Sequence, residues 1–316
     1  MTASNIVLTG ATGFIGRHFV QAAQGRAISA LTRGLKDRSG APDNIRWVTG
    51  DLVSPGSWAS LLTPGCTVIN LAYPESLSSE QSLGAAQAMV RACAEANAAR
   101  LIHCSTVSVY GRTSGGMIDE TTPCNPLDEY GGRKLAIEEA IRASDSGACE
   151  VAVLRPAAVF GAGGQNLVAL ANSLCGGAAL ANYLRASLFG RRRMHLVPVQ
   201  TVVAALLFLA DCERPIGGEV FNVSDDDDAL NNFRDVERIL AEALEIPARK
   251  LPVLPMPSVV LKALLHLRGR SERDPHCVYR ADKIRQLGFV SPIDFEAALR
   301  SFAMLCRSDR IVRGRP

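Results

Sequence analysis

Tyr130 and Lys134 are two side chains whose types and spacing suit proton transfer. They precede the helical pattern of residues 135–140, and side chains four residues apart on a helix share one face. On that face the ammonium group of Lys134 would lower the pKa of the Tyr130 phenol. Any further positive charge in the site would add to this effect. The phenol could then act as a general base near neutral pH. Because such a pair is common by chance, the surrounding sequence has to show what it does.

A glycine-rich turn near the start of the chain predicts a dinucleotide site. Residues 5–9 are typical of a buried parallel strand, and the spacing of apolar residues over 14–23 predicts a helix. Between them, Gly10 would allow a tight turn, Gly13 would let backbone N–H groups approach a pyrophosphate, and Gly16 would let the helix pack closely on the strand. The helix N-terminus would face the phosphates.

Hydroxyl side chains at residues 105, 106 and 108 lie at the end of a predicted strand at 101–105. Hydroxyl groups at the carboxyl end of a parallel strand lie where such sheets bind ligands. They come about 25 residues before Tyr130. A nicotinamide ring bound at this edge would supply the further positive charge near Lys134. Together the three patterns predict nicotinamide-dependent redox chemistry.

The end of the second predicted strand, residues 27–33, bears on the choice of coenzyme. A site that prefers NAD usually has Asp or Glu there to bind the ribose 2′-hydroxyl, whereas a basic residue suits the 2′-phosphate of NADP. The sequence has Thr32 and Arg33, and its next carboxylate is Asp37. Arg33 therefore favours NADP over NAD.

Strands alternate with helical patterns through the first half of the chain. Further strands are predicted at residues 46–48 and 67–71, and a long helix at about 82–96. This alternation predicts a parallel, doubly wound α/β sheet of the Rossmann type. Asp51, just after one of these strands, could reach the adenine edge of the dinucleotide.

Composition narrows the class of protein. With 316 residues, 47% of them hydrophobic, the chain can bury a sizeable core. A net charge of +3 argues against nucleic acid as the main partner. The nine cysteines are odd in number and contain no C-x-x-C pair, which predicts a reduced, cytoplasmic protein without a structural metal.

The sequence also predicts no membrane span. The longest apolar run, residues 202–210, is far shorter than the roughly 20 residues that a span needs. A first strand that starts at about residue 5 leaves no room for a signal peptide. Residues 259–268 have an amphipathic helical pattern, for which packing within a second lobe is favoured over contact with a membrane or a partner.

The sequence resembles the extended short-chain dehydrogenase/reductases, the NAD(P)-dependent epimerases and dehydratases that act on nucleotide sugars. The matching motifs run in order along nearly the whole chain. They are T-G-A-T-G-F-I-G at 9–16, G-D-L at 50–52, N-L-A at 70–72, S-T-V-S-V-Y-G at 105–111, D-E-T-T-P at 119–123, Y-G-G-R-K at 130–134, L-R-P-A-A-V-F-G at 154–161, G-E-V-F-N-V at 218–223 and K-I-R-Q-L-G-F at 283–289.

The resemblance implies two parts. Residues 1–164, completed by about 195–225, would form the NAD(P)-binding domain with its Rossmann-type doubly wound parallel sheet. Residues 165–194 and 226–316 would form a smaller, mostly helical substrate lobe. A homodimer is also expected from the resemblance.

The resemblance further implies roles for individual residues. Tyr130 would be the catalytic acid/base, Lys134 would bind the nicotinamide ribose and tune Tyr130, and Thr106 would hydrogen-bond the reacting oxygen. The residues implied to bind NAD or NADP are Gly10, Thr12, Gly13, Phe14, Ile15, Gly16, Arg33, Asp51, Leu52, Leu71, Ala72, Tyr130, Lys134 and Pro156.

Contacts to a nucleotide-diphosphate sugar are expected from a separate set of polar residues. The candidates are Ser108, Asn166, Arg191, Arg192 and Arg193. The three arginines could hold a diphosphate through forked hydrogen bonds, but a solvated basic loop explains them equally well. The acidic run at 225–228 predicts a solvated turn before a helix.

Two departures from the family pattern narrow the expected reaction. The family often has V-H-V-x-D-V before its late apolar helix, where this chain has V-P-V-Q-T-V at 197–202, so contacts inferred from that motif do not carry over. Sugar dehydratases tend to carry T-D-E where this chain has T-V-S at 106–108. The usual acid and base for eliminating water are therefore missing, and a dehydratase is disfavoured.

The expected function is redox chemistry at carbon 4 of a nucleotide-linked hexose, as a 4-epimerase or a 4-ketoreductase. Arg33 favours the reductase, as does the L-R-P run at 154–156, where epimerases often have an aromatic-Asn pair. The family's commonest activity favours the epimerase. The apolar second lobe leaves open a dehydrogenase of a steroid-like or other apolar alcohol. A non-catalytic NAD(P)-sensing protein is a further alternative, although such proteins usually lose the Tyr or the Lys.

Overall fold

The structure, a computed structural model, describes residues 5–34, 43–111, 116–176, 179–247 and 277–312. Asp37 and the amphipathic pattern at 259–268 lie outside these residues. At the centre is a seven-stranded sheet in which all neighbouring strands are parallel. Its strands are β1 (Ile6–Thr9), β2 (Ile28–Thr32), β3 (Ile45–Thr49), β4 (Thr67–Asn70), β5 (Arg100–Cys104), β7 (Glu150–Pro156) and β10 (Val220–Val223). They lie in the order β10-β7-β5-β4-β1-β2-β3.

Short strands form two further pairs, and helices connect the strands. The pairs are β6 (Met117–Ile118) with β11 (Val278–Tyr279), and β8 (Ala158–Phe160) with β9 (Leu196–Pro198). The helices are α1 (Phe14–Ala22), α2 (Ser79–Glu95), α3 (Glu129–Ala143), α4 (Val168–Cys175), α5 (Ala179–Phe189), α6 (Val199–Asp211), α7 (Phe233–Ala243), α8 (Asp282–Gln286) and α9 (Phe295–Val312). Within the described ranges, no helix has both the length and the apolar character to cross a membrane.

The strands are apolar runs because helices cover both faces of the sheet. Successive strand residues point to opposite faces, so Ile6 and Leu8 join one core layer with α1 and α6, whereas Val7 joins the other with α2 and α3. The longest apolar run of the sequence lies in α6 and is mostly buried in the first of these layers. The predicted Rossmann-type doubly wound parallel sheet is therefore confirmed.

A third apolar cluster lies apart from the two layers of the sheet and joins α4, α7 and α9. Leu174, Leu240 and Leu299 are buried in it. The ring of Phe160, from β8, packs edge-on against that of Phe302 at 6.3 Å between centroids. Segments far apart in the sequence thus share one core because each of these helices has an apolar face.

The order of strands reverses at β1, whose neighbours are β2 and β4. At such a point the connections leave the sheet in opposite directions, and a crevice forms outside the carboxyl ends of the strands. The carboxyl end of β1 is Thr9, directly before Gly10. The topology therefore brings the glycine turn to the edge of the sheet where ligands are expected.

The packing of α1 on the glycine turn predicts that Gly16→Ala destabilises the protein. A Cβ atom at position 16 would lie 2.7 Å from the Cα atom of Ala11, and backbone cannot give way easily. Overpacking of this kind costs about 3 kcal/mol. Gly84→Ala in α2 is the matched control, because a Cβ there meets no atom within 4 Å. It should stabilise the protein by about 0.5–1 kcal/mol.

Urea denaturation of both variants gives the two changes in the free energy of unfolding. Similar changes for Gly16→Ala and Gly84→Ala would contradict the packing argument.

Candidate active site

The glycine turn brings the end of β1 against the segment that follows β4. Gly10 has a φ of +71°, and a Cβ there would lie 2.7 Å from the carbonyl carbon of Leu71 and 2.8 Å from the amide nitrogen of Ala72. Gly13 donates its N–H to the carbonyl oxygen of Gly10 (2.9 Å) and is the N-cap of α1. Only glycine fits at position 10, because the left-handed backbone and the close neighbour both exclude a side chain.

A cleft of about 290 Å³ lies over this turn. The predicted cofactor-binding residues that line it are Gly10, Thr12, Gly13, Arg33, Asp51, Leu52, Leu71 and Ala72. Residues that the sequence did not single out for this role also line it, namely Thr9, Leu31, Thr32, Gly50, Tyr73 and Pro74. The other predicted residues lie on neighbouring elements: Phe14, Ile15 and Gly16 begin α1, Tyr130 and Lys134 belong to α3, and Pro156 ends β7.

Three polar side chains form a buried hydrogen-bonded row across β1, β4 and β5. The Thr9 hydroxyl donates to Asn70 Oδ1 (2.7 Å), and Asn70 Nδ2 donates to His103 Nδ1 (3.0 Å). They meet because the strand register pairs Thr9 with Asn70 and Asn70 with His103. The N–H of Ala72 donates to Asn70 Oδ1 (3.3 Å) and to Thr9 Oγ1 (3.4 Å), which fixes one wall of the cleft. Burial, with the charge of Lys134, lowers the pKa of His103, so its ring is neutral.

Thr106, Tyr130 and Lys134 belong to two elements that meet beyond the carboxyl end of β5. Thr106 is the N-cap of a 3₁₀ turn at 107–109, and its hydroxyl accepts a hydrogen bond from the N–H of Ser108 (3.2 Å). Tyr130 and Lys134 lie one turn apart in α3, as their spacing predicts. The helix starts there because the Asp128 carboxylate caps it, accepting the N–H of the residue at position 131 (2.8 Å).

Tyr73 connects these residues to the cleft. It lines the cleft, and its ring is edge-on to that of Tyr130 with 5.3 Å between centroids. The Nζ atom of Lys134 lies 4.6 Å from the centroid of the Tyr73 ring and donates to the carbonyl oxygen of Cys104 (3.0 Å). Lys134 is only 4% exposed, whereas Tyr130 is 44% exposed. The phenol is thus open to a ligand, whereas the amino group of Lys134 is enclosed beside the Tyr73 ring.

The surroundings favour the neutral form of both groups. Burial raises the pKa of the Tyr130 phenol to about 12, while hydrogen bonding with Thr106 acts in the opposite direction and is smaller. Burial also lowers the pKa of Lys134. At neutral pH the phenol therefore holds its proton and can act as an acid. To act as a base it needs further positive charge nearby.

Two of the predicted substrate-binding residues differ in where they lie. Ser108 is next to the catalytic candidates, and the hydroxyl of Thr106 donates to its Oγ atom (3.3 Å). Asn166 lies beyond β8, exposed, and its Nδ2 atom donates to the carbonyl oxygen of Val159 (2.7 Å). Ser108 is therefore grouped with Thr106, whereas Asn166 is held by a different strand.

Arg193, the last of the three consecutive arginines, is bound within the protein. Its guanidinium group donates to the carbonyl oxygens of Asp226 and Asp228. Arg191 is exposed and Arg192 is half-buried. Arg193 thus fits neither of the two expectations, binding to a diphosphate or exposure in a solvated loop. Its N–H donors instead satisfy backbone carbonyls that are distant in the sequence.

The acidic run at 225–228 does form a turn before α7, but Asp226 is completely buried. Its Oδ2 atom accepts hydrogen bonds from His195 Nδ1 (2.6 Å) and from the N–H of Tyr279 (2.9 Å). The prediction of a solvated turn is therefore wrong for Asp226. A buried carboxylate is stable here because donors from two other segments pair with it.

Arg155 of the L-R-P run is a core residue. Its Nη2 atom lies 2.5 Å from Glu138 Oε2, and both side chains are buried. The guanidinium carbon is 4.9 Å from the centroid of the Tyr110 ring, and the Tyr110 hydroxyl donates to Asn222 Oδ1 (2.8 Å). The N–H of Asn222 in turn donates to Glu120 Oε1 (2.7 Å). One buried polar network thus joins four of the sequence motifs.

The strand-turn-helix under the cleft, with Tyr130 and Lys134 beside it, defines a Rossmann-type NAD(P)-binding enzyme. The model of the NAD dependent epimerase/dehydratase family matches residues 6–224, and the chain belongs to this family. Its members are NAD(P)-dependent enzymes of the extended short-chain dehydrogenase/reductase type.

The curated relatives act on nucleotide sugars. The chain is 35% identical over 174 residues to the dTDP-6-deoxy-L-talose 4-dehydrogenase (NAD(P)(+)) of Kitasatospora kifunensis, a match that covers 51% of this chain and 54% of that protein. The chain thus spans about half the length of that relative. It is 24% identical over 267 residues to the UDP-glucose 4-epimerase of Vibrio cholerae, covering 79% of this chain and 78% of that protein.

A solved structure shares the fold over almost the whole chain. It is that of the Bordetella bronchiseptica enzyme WbmG in complex with NAD and UDP, with a TM-score of 0.72 and 18% identity. The likeness covers 96% of this chain and 95% of that chain.

The buried pair of Arg155 and Glu138 predicts a large loss of stability for Glu138→Gln. The substitution keeps the shape of the side chain and leaves the buried guanidinium without its counter-charge, which costs about 3–5 kcal/mol. Replacing both residues, by Glu138→Leu with Arg155→Met, should recover most of the loss because no buried charge remains. Glu129→Gln, which breaks an exposed pair with Arg133, is the matched control and should cost less than about 1 kcal/mol.

Urea unfolding curves for the four proteins measure these differences. A loss for Glu138→Gln as small as that for Glu129→Gln would rule out a structural role for the buried pair.

Proposed function

We propose that the protein transfers hydride between a nicotinamide coenzyme and carbon 4 of a nucleotide-linked hexose. The arrangement of Tyr130 and Lys134 around Tyr73, which lines the cleft, carries this proposal. It supports an acid/base group beside the coenzyme site. The printed names of the two curated relatives, a 4-dehydrogenase and a 4-epimerase of nucleotide sugars, support carbon 4 as the reacting atom.

The residues of the cleft fit a dinucleotide. At Gly10 a Cβ atom would fill the space against Leu71 and Ala72, so the backbone alone forms that part of the cradle. Thr12 and Gly13, at the N-terminus of α1, also line the cleft, and the positive end of a helix attracts phosphate. A coenzyme bound there supplies or accepts the hydride, and the redox chemistry is its own.

Proton transfer falls to the chain's own side chains. In the direction of reduction, Tyr130 donates its proton to the carbonyl oxygen at carbon 4, and its raised pKa keeps that proton in place at neutral pH. The hydroxyl of Thr106 holds the same oxygen by a hydrogen bond. In its charged form Lys134, which lies over the Tyr73 ring that packs on Tyr130, stabilises the phenolate left by proton transfer. In the direction of oxidation the same charge helps Tyr130 to act as a base.

The sugar is proposed to bind between the sheet and the second lobe, which comprises residues 165–194 and 226–316. The separate apolar cluster of α4, α7 and α9 supports a lobe with a core of its own. Ser108, next to Thr106, is a candidate contact to the sugar, and the exposed Asn166 and Arg191 are candidates from the lobe side.

Two versions of the reaction differ in how the coenzyme is used. A 4-ketoreductase consumes exchangeable NADPH, and Arg33, which lines the cleft at the end of β2, supports recognition of a 2′-phosphate. A 4-epimerase returns the hydride to the sugar and needs tightly held NAD. The likeness to the Vibrio cholerae epimerase, which extends over 79% of this chain, supports this second version.

Tyr130→Phe should lower turnover by a factor of about 10²–10⁴ and leave coenzyme binding intact, because it removes only the proton donor. Turnover is measured with a 4-keto sugar nucleotide and NADPH, and with a UDP-hexose and NAD. Tyr183→Phe, which removes a phenol from α5, is the matched control and should change turnover less than about twofold. Unchanged turnover in Tyr130→Phe would refute the proposed mechanism.

The coenzyme test begins with protein purified without added nucleotide, which is denatured so that any released nucleotide can be identified. The ketoreductase version predicts an empty protein that binds NADPH more tightly than NADH. Arg33→Ala should then weaken NADPH binding by about tenfold, the effect of losing one charged hydrogen bond, and leave NADH binding unchanged. Arg46→Ala, at an exposed arginine of β3, is the control. Tightly held NAD would favour the epimerase and contradict the role of Arg33.

A further inference from the structure

A chain of three hydrogen-bonded side chains lies outside the cofactor cleft. It runs from Cys277 through His195 to Asp226. The Sγ atom of Cys277 is 3.7 Å from His195 Nε2, and His195 Nδ1 is 2.6 Å from Asp226 Oδ2. The three residues come from separate segments, just before β11, just before β9 and just after β10. In the described part of the chain, none of the three is among the residues that line the cleft.

The aspartate is held rigidly. Asp226 is completely buried, and besides His195 it accepts hydrogen bonds from the N–H of Tyr279 (2.9 Å) and from Asn231 Nδ2 (3.4 Å). A carboxylate fixed in this way selects the tautomer and the orientation of the ring, because it requires a proton on His195 Nδ1. The other ring nitrogen, Nε2, is then directed to the thiol of Cys277.

The histidine is held in place at an energetic cost. His195 has a φ of +54°, in the left-handed region that non-glycine residues seldom adopt. Its carbonyl oxygen accepts the N–H of Ala158 (2.8 Å), and its ring packs edge-on against Tyr279 with 4.9 Å between centroids. Such backbone strain persists where the surroundings impose it, and it concentrates at functional sites.

The partners of His195 favour the protonated form of its imidazole ring. Burial lowers the pKa of His195, but its hydrogen bonds to Asp226 and Cys277 outweigh that effect and raise the pKa to about 9. An imidazolium within reach of a sulfur atom stabilises the thiolate form, which is the nucleophile. A cysteine, a histidine and an orienting carboxylate in this order are the arrangement that activates sulfur nucleophiles.

We propose that Cys277 is a nucleophilic thiol that reacts with peroxides, and that His195 and Asp226 activate it. In the reaction with hydrogen peroxide the sulfur attacks one peroxide oxygen, so that an S–O bond forms and the O–O bond breaks. The leaving hydroxide takes the proton from His195 and departs as water, and Cys277 becomes a sulfenic acid. The sulfur is oxidised and the peroxide is reduced. The inference does not depend on the proposed sugar chemistry.

Other cysteines of the chain provide an internal comparison. Cys175 and Cys212 are more exposed than Cys277, which is 4% exposed. If access alone decided reactivity, these two thiols would react first. Activation by His195 predicts the opposite order, because the thiolate is the reacting form.

The test treats the full chain at pH 7 with hydrogen peroxide and dimedone, which traps sulfenic acids, and quantifies each labelled cysteine by peptide mass spectrometry. Cys277 should be labelled at least about tenfold faster than Cys175 or Cys212. The same comparison in urea should remove the difference, because activation requires the fold. Labelling of Cys277 no faster than that of the other two in the native protein would overturn the proposal.

Substitutions then identify the activating group. His195→Asn suits the left-handed backbone and removes the imidazole, and it should slow labelling of Cys277 at least about tenfold. His18→Asn, at a histidine in α1, is the matched control and should leave the rate unchanged. Thermal melting confirms that each variant is folded. A folded His195→Asn protein that is labelled at the rate of the unmodified chain would overturn the role of His195. Should that variant not fold, the native-against-urea comparison still decides whether the fold activates Cys277.

Discussion

The close approach between the glycine turn and the segment after β4 is the constraint on which the site depends. Because Gly10 has no side chain, its backbone packs directly against the backbone of Leu71 and Ala72. A Cβ atom at this position would have no room. The N–H of Ala72 then bonds to Thr9 and Asn70, so the side chains that join the strands also fix the wall of the cleft. Coenzyme binding at such a turn is set mainly by backbone positions, and under the proposed function the side chain of Arg33 would add selectivity.

The candidate acid/base residues surround one enclosed amino group. The ammonium group of Lys134 is held by the carbonyl of Cys104 and the ring of Tyr73. Burial shifts the pKa of Lys134 down and that of Tyr130 up, so both shifts favour neutral groups. In the proposed mechanism, Tyr130 would therefore hold the proton that it donates without help from a bound coenzyme. As a base it would depend on the charge that a bound coenzyme brings, and proton transfer would then be coupled to coenzyme binding.

Local patterns were enough to predict the elements that form the cleft. The glycine spacing and the apolar runs predict the turn, the strands and α1 to within a few residues, because a sheet covered on both faces needs continuous apolar strands. The row of Thr9, Asn70 and His103 could not be predicted, since it depends on strand register. The same holds for Asp226, whose partners His195 and Tyr279 are 31 and 53 residues away in the sequence. The roles of the catalytic candidates stay predictions.

Buried charges outside the cleft join segments of the chain, and this limits which residues can recognise a substrate. Arg155 pairs with Glu138, and the half-buried Arg193, one of the arginines expected to contact a diphosphate, donates to backbone carbonyls after β10. A charge removed from water must be paired, so these groups are occupied by their partners. Recognition of a diphosphate would then rely on exposed donors such as Arg191 and on backbone N–H groups. Specificity for the sugar would then depend mainly on the shape of the second lobe. A complementary shape can select a sugar without a free charged side chain in the protein interior.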